Sequence, residues 1–204
     1  MKARRFIINH RRESGQTMLS DAQLLTQLQA GDDASFEELF LRHYNRIYDV
    51  LYRLLGNQTD AEDVAQQVFL KLYHSSQRIR FRGYEVNVAG WLYRVAVNTG
   101  YNILRSQQRR QKWQETLGWL WLFETSPPDP ADIAESNDMQ ANVRQILAEM
   151  KPRQAKLLLL RHSGLSYQEL AIALNLAPGS IGSLLTRAER AFTQKYRLAY
   201  PEEE

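Results

Sequence analysis

"LSYQELAIALNLAPGSIGSLLTRAER", residues 165–190, decides the fold of the second half of the chain. Ser166 and Glu169 stand three apart at the head of an apolar run, the pattern of a capping box in which hydroxyl and carboxylate satisfy each other's helix-end amides. Pro178 stands where a helix can begin without needing its N–H. Only Asn175, Leu176 and Ala177 separate the two helices so marked, the tight spacing of a helix-turn-helix. On the second helix Ile181, Leu184, Leu185, Ala188 and Phe192 fall on one face by their spacing. That leaves Ser180, Gly182, Ser183, Thr186, Arg187 and Arg190 outward. A groove-reading helix normally offers cations and amides, whereas this one offers hydroxyls, a glycine and two arginines. The pattern alone leaves open a hairpin that only packs.

Upstream, helix signals follow one another with almost no strand alternation. "SDAQLLTQLQAG" (20–31) has Ser20 as a candidate N-cap and Gly31 as a stop. Residues 32–56 space Phe36, Leu39, Phe40, Tyr44, Ile47 and Leu51 at helical intervals, with Gly56 past the end. "TDAEDVAQQVFLKLYHS" (59–75) opens on Thr59 and Glu62, a second capping-box pattern, and carries a stripe of Val64, Val68, Phe69 and Leu72. The loop "QRIRFRGYEVN" (77–87) leads to a long helix from about Val88 to about Lys112. Four shorter helices are expected over about 139–150, 152–163, 166–174 and 178–196. Between the two groups, Pro-Pro-Asp-Pro at 127–130 forbids a continuous helix. The expected fold is all-α, two small helical domains joined by a flexible linker, the C-terminal one a helix-turn-helix. The boundaries are a basic mobile tail at 1–19, a first domain at 20–113, a linker at 114–138 and a second domain at 139–204.

The 204 residues are 44% hydrophobic and 24% charged, the composition of a soluble globular protein with a real core. No apolar run reaches the length of a membrane span, and the basic N-terminus lacks the apolar stretch of a signal peptide. The absence of cysteine excludes disulfides and thiolate metal sites and fits a cytoplasmic location. The net charge of +3 is unevenly spread. Between Arg78 and Lys112 stand Arg78, Arg80, Arg82, Arg94, Arg105, Arg109, Arg110 and Lys112 against Glu85 alone, a nucleic-acid footprint or a solvated helix face. His10, His43, His74 and His162 are scattered without metal spacing, and no phosphate loop, nucleophile elbow or carboxylate pair appears. No catalytic residue, cofactor or metal is expected. A free-standing helix-turn-helix regulator is the alternative to the reading below, but it needs a dimerisation element, and no sustained heptad is present.

"LAEMKPRQAKLLLLRHSGLSYQELAIALNLAPGSIGSLLTRAERAF" (147–192) resembles the promoter-reading domain of bacterial RNA polymerase sigma factors of the extracytoplasmic-function group. Pro152, Leu160, Arg161, Gly164, Leu165, Ser166, Tyr167, Glu169, Ala171, Gly179, Ser183, Leu185, Arg187 and Ala188 carry the likeness. "DAEDVAQQVFLKLY" (60–73) resembles the group's polymerase-clamp helix, and "GWLYRVAVNTGYNILRSQQRR" (90–110) its promoter-melting helix. Gly182, Leu184 and Glu189 depart from the family, which commonly carries cations there.

The resemblance implies core RNA polymerase and promoter DNA as partners, with an anti-sigma factor as a further one, and no membrane insertion. Asp60, Glu62, Asp63, Gln66 and Gln67 would face the polymerase clamp, although acids in a helix's first turn are also favoured by its dipole. Arg80, Arg82, Tyr84, Asn87, Arg94, Asn98, Asn102 and Arg105 would hold the melted minus-ten strand, since unstacked bases need aromatic or pocket contacts above a cationic track. Trp91, on a stripe with Leu92, Val95 and Ala96, is read as core. Ser180, Ser183, Thr186, Arg187 and Arg190 would read the minus-thirty-five element, or that domain has shifted towards protein contacts. The tryptophans at 113, 119 and 121, with Phe123, are not explained by the resemblance.

Overall fold

Ser20 opens the first helix, its hydroxyl accepting the Gln23 N–H at 3.3 Å while the Gln23 side chain accepts the Ser20 N–H at 2.8 Å. The computed structural model describes residues 19–78, 87–117 and 137–201. Helix α1 spans Asp21–Gln29, and α2 spans Asp33–Leu55 between an Asp32 cap and Gly56. Gly56 has φ +72 and returns its N–H to Tyr52, so the chain leaves α2 through a left-handed residue that tolerates no side chain cheaply.

Helix α3, Gln58–Ser75, begins earlier than the Thr59 cap expected from sequence. Asn57 emerges from Gly56 in extended conformation and its side chain accepts the Asp60 N–H at 3.0 Å. Thr59 therefore lies inside the helix, and the Thr59–Glu62 capping box does not form. Helix α4, Val88–Leu117, has 30 residues and is about 45 Å long at 1.5 Å per residue. It runs past Lys112 into the segment assigned to the linker. Helices α5 (Asn137–Glu149), α6 (Pro152–His162), α7 (Tyr167–Leu174) and α8 (Ile181–Ala199) complete the chain. A 3₁₀ turn at Pro178–Ser180 precedes α8, so the proline starts that turn rather than the helix itself.

Helices α1 to α4 form one bundle around Leu39, Leu51, Leu54, Phe69, Leu72 and Leu92, all at most 1% exposed. At Gly100 a Cβ would lie 2.8 Å from Leu54 and 3.0 Å from Leu51, so only glycine lets α4 approach α2 this closely. Helices α5 to α8 form the second bundle around Ile146, Leu157, Leu160, Leu170 and Ile181. The bundles are not separate in this structure. Helix α4 packs on α2 and α3 with one side and on α5, α6 and α7 with another, and one apolar cluster runs through both bundles.

Candidate nucleic-acid and polymerase interfaces

The helix-turn-helix forms as its punctuation requires. Ser166 and Glu169 make the reciprocal capping box, at 3.3 Å and 2.7 Å. Asn175 ends α7 at φ 54, the left-handed turn that swings the chain into α8. Ile181, Leu185 and Ala188 are buried, and Leu184 and Phe192 pack half-buried against them, as their spacing predicts. Ser183, Thr186, Arg187 and Arg190 are exposed on the opposite face, whereas Ser180 is half-buried. Ser180 donates its hydroxyl to Ala177, Ser183 to Ser180 and Thr186 to Gly182, all at 2.7–3.1 Å, so each keeps its oxygen free to accept. Of the residues expected to read DNA here, only the two arginines are charged.

On α3 the five expected clamp residues divide. Asp63, Gln66 and Gln67 are exposed on one face, and Leu70 extends it at 53% exposure. Leu70 was missed because its spacing from Val64 and Val68 gives no sign of exposure; its place three residues after Gln67 was the available signal. Asp60 is half-buried and accepts the Gln107 amide of α4 at 3.0 Å, and Glu62 accepts Gln58 at 2.9 Å beside Tyr44 and Tyr48. Asp60 is thus engaged across the bundle and Glu62 along its own helix.

Helix α4, expected from the resemblance to hold melted promoter DNA, departs most from expectation. Asn87 caps α4, its side-chain oxygen accepting the Gly90 N–H while its carbonyl accepts Trp91 at 3.1 Å. Arg94 donates to two main-chain carbonyls of α7, Ala173 at 2.8 Å and Ile172. The Asn98 side chain accepts Lys156 of α6 at 2.6 Å. Tyr93 and Tyr101, 6% and 1% exposed, are closed off from any base. The Tyr101 hydroxyl donates to Met150 at 2.9 Å, and Lys156 lies 5.5 Å over its ring. Burial lowers the pKa of that lysine and raises that of the tyrosine. Asn102 and Arg105 are exposed, and Trp91 packs half-buried on the core. Arg80, Arg82 and Tyr84, the basic tail, and most of the linker with Trp119, Trp121 and Phe123 lie outside the described residues. Among the described residues no group of His, Asp and Glu could hold a metal ion.

Two family models match the chain. Sigma-70 region 2 covers residues 39–110 and Sigma-70 region 4 covers 140–192. The RNA polymerase sigma-H factor of Pseudomonas aeruginosa is 29% identical over 86% of this chain and 93% of that protein. The ECF RNA polymerase sigma-E factor of Escherichia coli is 28% identical over 87% and 94%. The ECF RNA polymerase sigma factor SigE of Mycolicibacterium smegmatis is 30% identical over 78% of this chain and 62% of its own length. Among solved structures, CnrH in complex with the cytosolic domain of CnrY aligns with TM-score 0.59 at 17% identity, over 88% of this chain and 99% of that one, a likeness of fold.

Proposed function

The chain belongs to the extracytoplasmic-function group of the sigma-70 family, and from that premise we propose how its surfaces divide a sigma factor's work. It binds core RNA polymerase, directs it to specific promoters and supports melting of the DNA there. It is not an enzyme; its contribution is binding energy. The exposed α3 face of Asp63, Gln66, Gln67 and Leu70 takes the polymerase clamp, while Asp60 and Glu62 shape the start of that helix. Asn102 and Arg105, with Arg80, Arg82 and Tyr84 of the preceding stretch of sequence, hold the melted minus-ten strand, and Arg94 and Asn98 join them when free of the second domain. Asn87 supports this strand path by capping α4. Ser183, Thr186, Arg187 and Arg190 read the minus-thirty-five element, with Ser180 at the helix start.

We keep 20–113 and 139–204 as the two functional units. A cytoplasmic site of action follows from this role. No single described helix is long and apolar enough to cross a membrane, and the α7–α8 pair that passes jointly is bent by 109°. An anti-sigma factor belongs to the same reading; CnrH, which shares this fold, was solved bound to part of another protein.

The observation that carries the proposal is the presence of both regions, in order, on one chain. Co-purification with core polymerase, followed by transcription from a premelted promoter template, tests it. Failure to bind core and to stimulate transcription would sink the reading.

A further inference from the structure

Trp113 lies near the end of α4 with 68% of its surface exposed, between the two matched regions, which end at residue 110 and resume at 140. An exposed apolar side chain is ordinary by itself. Trp113 is set apart by its register. At about 100° per residue, Arg94, Asn98, Asn102, Arg105, Arg109 and Trp113 lie within an arc of roughly 100° along the helix. The buried Leu92, Tyr93, Ala96, Val97, Tyr101 and Leu104 take the opposite side. Arg94 and Asn98 are engaged at the seam where the second bundle packs on α4. Asn102, Arg105, Arg109 and Trp113 are exposed and leave the rest of the row open to solvent.

We infer that this row is one nucleic-acid track, and that Trp113 is a stacking contact for an unpaired promoter base beyond the stretch held by Asn102 and Arg105. Its premise is the strand-holding role proposed for those two residues.

Charge selects the partner. From Val88 to Trp113 the helix carries no aspartate or glutamate, whereas Arg94, Arg105, Arg109, Arg110 and Lys112 are cations. A phosphate backbone laid along the row meets no carboxylate of this helix. An apolar protein partner would need anchors beside the indole, and Arg109 and Arg110, one turn before it and exposed, supply none. Cations that take the backbone and a ring that takes the face of a base are what hold an unpaired strand, whatever its sequence. Stacking of this kind is worth about five- to a hundredfold in affinity per base.

Length sets the place of the contact. Trp113 lies about 16 Å beyond Asn102 along the axis, at 1.5 Å per residue. At about 3.4 Å per nucleotide in a stacked strand, the base at Trp113 is about five nucleotides from the one at Asn102, and fewer if the strand is stretched.

The full chain with core polymerase, on the premelted promoter template, tests this. Trp113→Ala should weaken binding at least about fivefold. Trp113→Phe, which keeps a ring, should recover most of the loss, and Trp113→Leu should not. When unpaired positions are replaced one at a time by an abasic site, one site should reproduce the loss in the wild-type protein and add nothing to it in Trp113→Ala. A photoreactive side chain in place of Trp113 should crosslink a nucleotide up to about five away from the one reached from position 102. Arg109→Ala should weaken binding to every template alike and lower the salt slope by about 0.7 units. Unchanged binding by Trp113→Ala, equal binding by the Leu and Phe variants, additive losses at every abasic site, no crosslink from position 113, or a salt slope unmoved by Arg109→Ala overturns the inference. The strand-holding role fails separately, if Asn102→Ala with Arg105→Ala leaves binding unchanged.

Discussion

Gly182 occupies the first turn of α8, where an added Cβ would meet only Tyr167, at 3.7 Å. The position has room, so Gly182→Lys should fold and add one phosphate contact. Affinity for DNA of any sequence should rise and the slope of log affinity against log salt should steepen by about one unit, without sharper preference. A titration at several salt concentrations measures both; a gain confined to one sequence would instead mean a base contact. Arg187 is exposed on the same face, and Arg187→Ala should cost about 1–3 kcal/mol at the cognate element, the worth of a base-edge contact. An equal loss on all sequences would assign it to a phosphate. Leu184 stands where the family commonly has a cation, yet here it packs half-buried against the core. Leu184→Arg should lower thermal stability by about 1–2 kcal/mol, and an unchanged melting temperature would mean that this face is rotated outward in solution.

Helix α3 shows how far an element can be read from its letters. Its buried stripe of Val64, Val68, Phe69 and Leu72 followed from spacing alone, because burial in a helix repeats every 3.6 residues. Its start did not. Which residue caps a helix depends on how the chain leaves the preceding element, and Gly56 delivered Asn57 in extended form two positions before Thr59. The exposure of Asp63, Gln66 and Gln67, the face proposed for the clamp, was legible in part for the same reason. Periodicity separates Asp63 from Val64, but it cannot foresee that Gln107, far away in sequence, would claim Asp60. Asp63→Ala with Gln67→Ala should therefore weaken core polymerase binding while circular dichroism and melting stay unchanged, and Leu70→Asp should do the same. Unchanged affinity in both variants would remove this face from the clamp interface. A second element-level test concerns α1, which is pinned to α2 where Asp21 meets His43 at 2.6 Å and Arg42 at 3.1 Å. The His43 hydrogen bond, joined by Arg42, holds the Asp21 carboxyl below its ordinary value of 3.8. A depressed carboxylate stabilises the fold above that value, and the contribution is lost as pH falls through the lower folded value. Asp21→Asn should cost about 0.5–1 kcal/mol at pH 7, modest because the pair is partly exposed, and nothing once the wild-type carboxyl is protonated. Urea melts at neutral and acid pH check the sign.

For the whole molecule, the order of helices and the helix-turn-helix were legible because each carries its own caps and stripe. The docking of one bundle on the other was not. Tertiary contact between elements distant in sequence leaves only one local trace, an apolar arc wider than a single interface needs. Helix α4 has that trace: Leu92, Tyr93, Ala96, Val97, Tyr101 and Leu104 are all buried, on a helix that packs on α2, α3, α5, α6 and α7. Arg94 and Asn98 of this helix read as part of a strand-binding surface in the sequence, and both are spent on contacts with α7 and α6. Limited proteolysis tests both levels at once. Pro-Pro-Asp-Pro at 127–130 directs the first cut to the stretch between about Thr125 and Asn137. If the seam is closed in solution, the nicked chain should still elute as one species on size exclusion, held by Arg94, Lys156 and Tyr101 across α4. Addition of core polymerase should then loosen the second fragment from the first if the two units bind it separately. Fragments that separate at once after cleavage would show the domains already apart, and a chain that resists cleavage there would remove the linker itself.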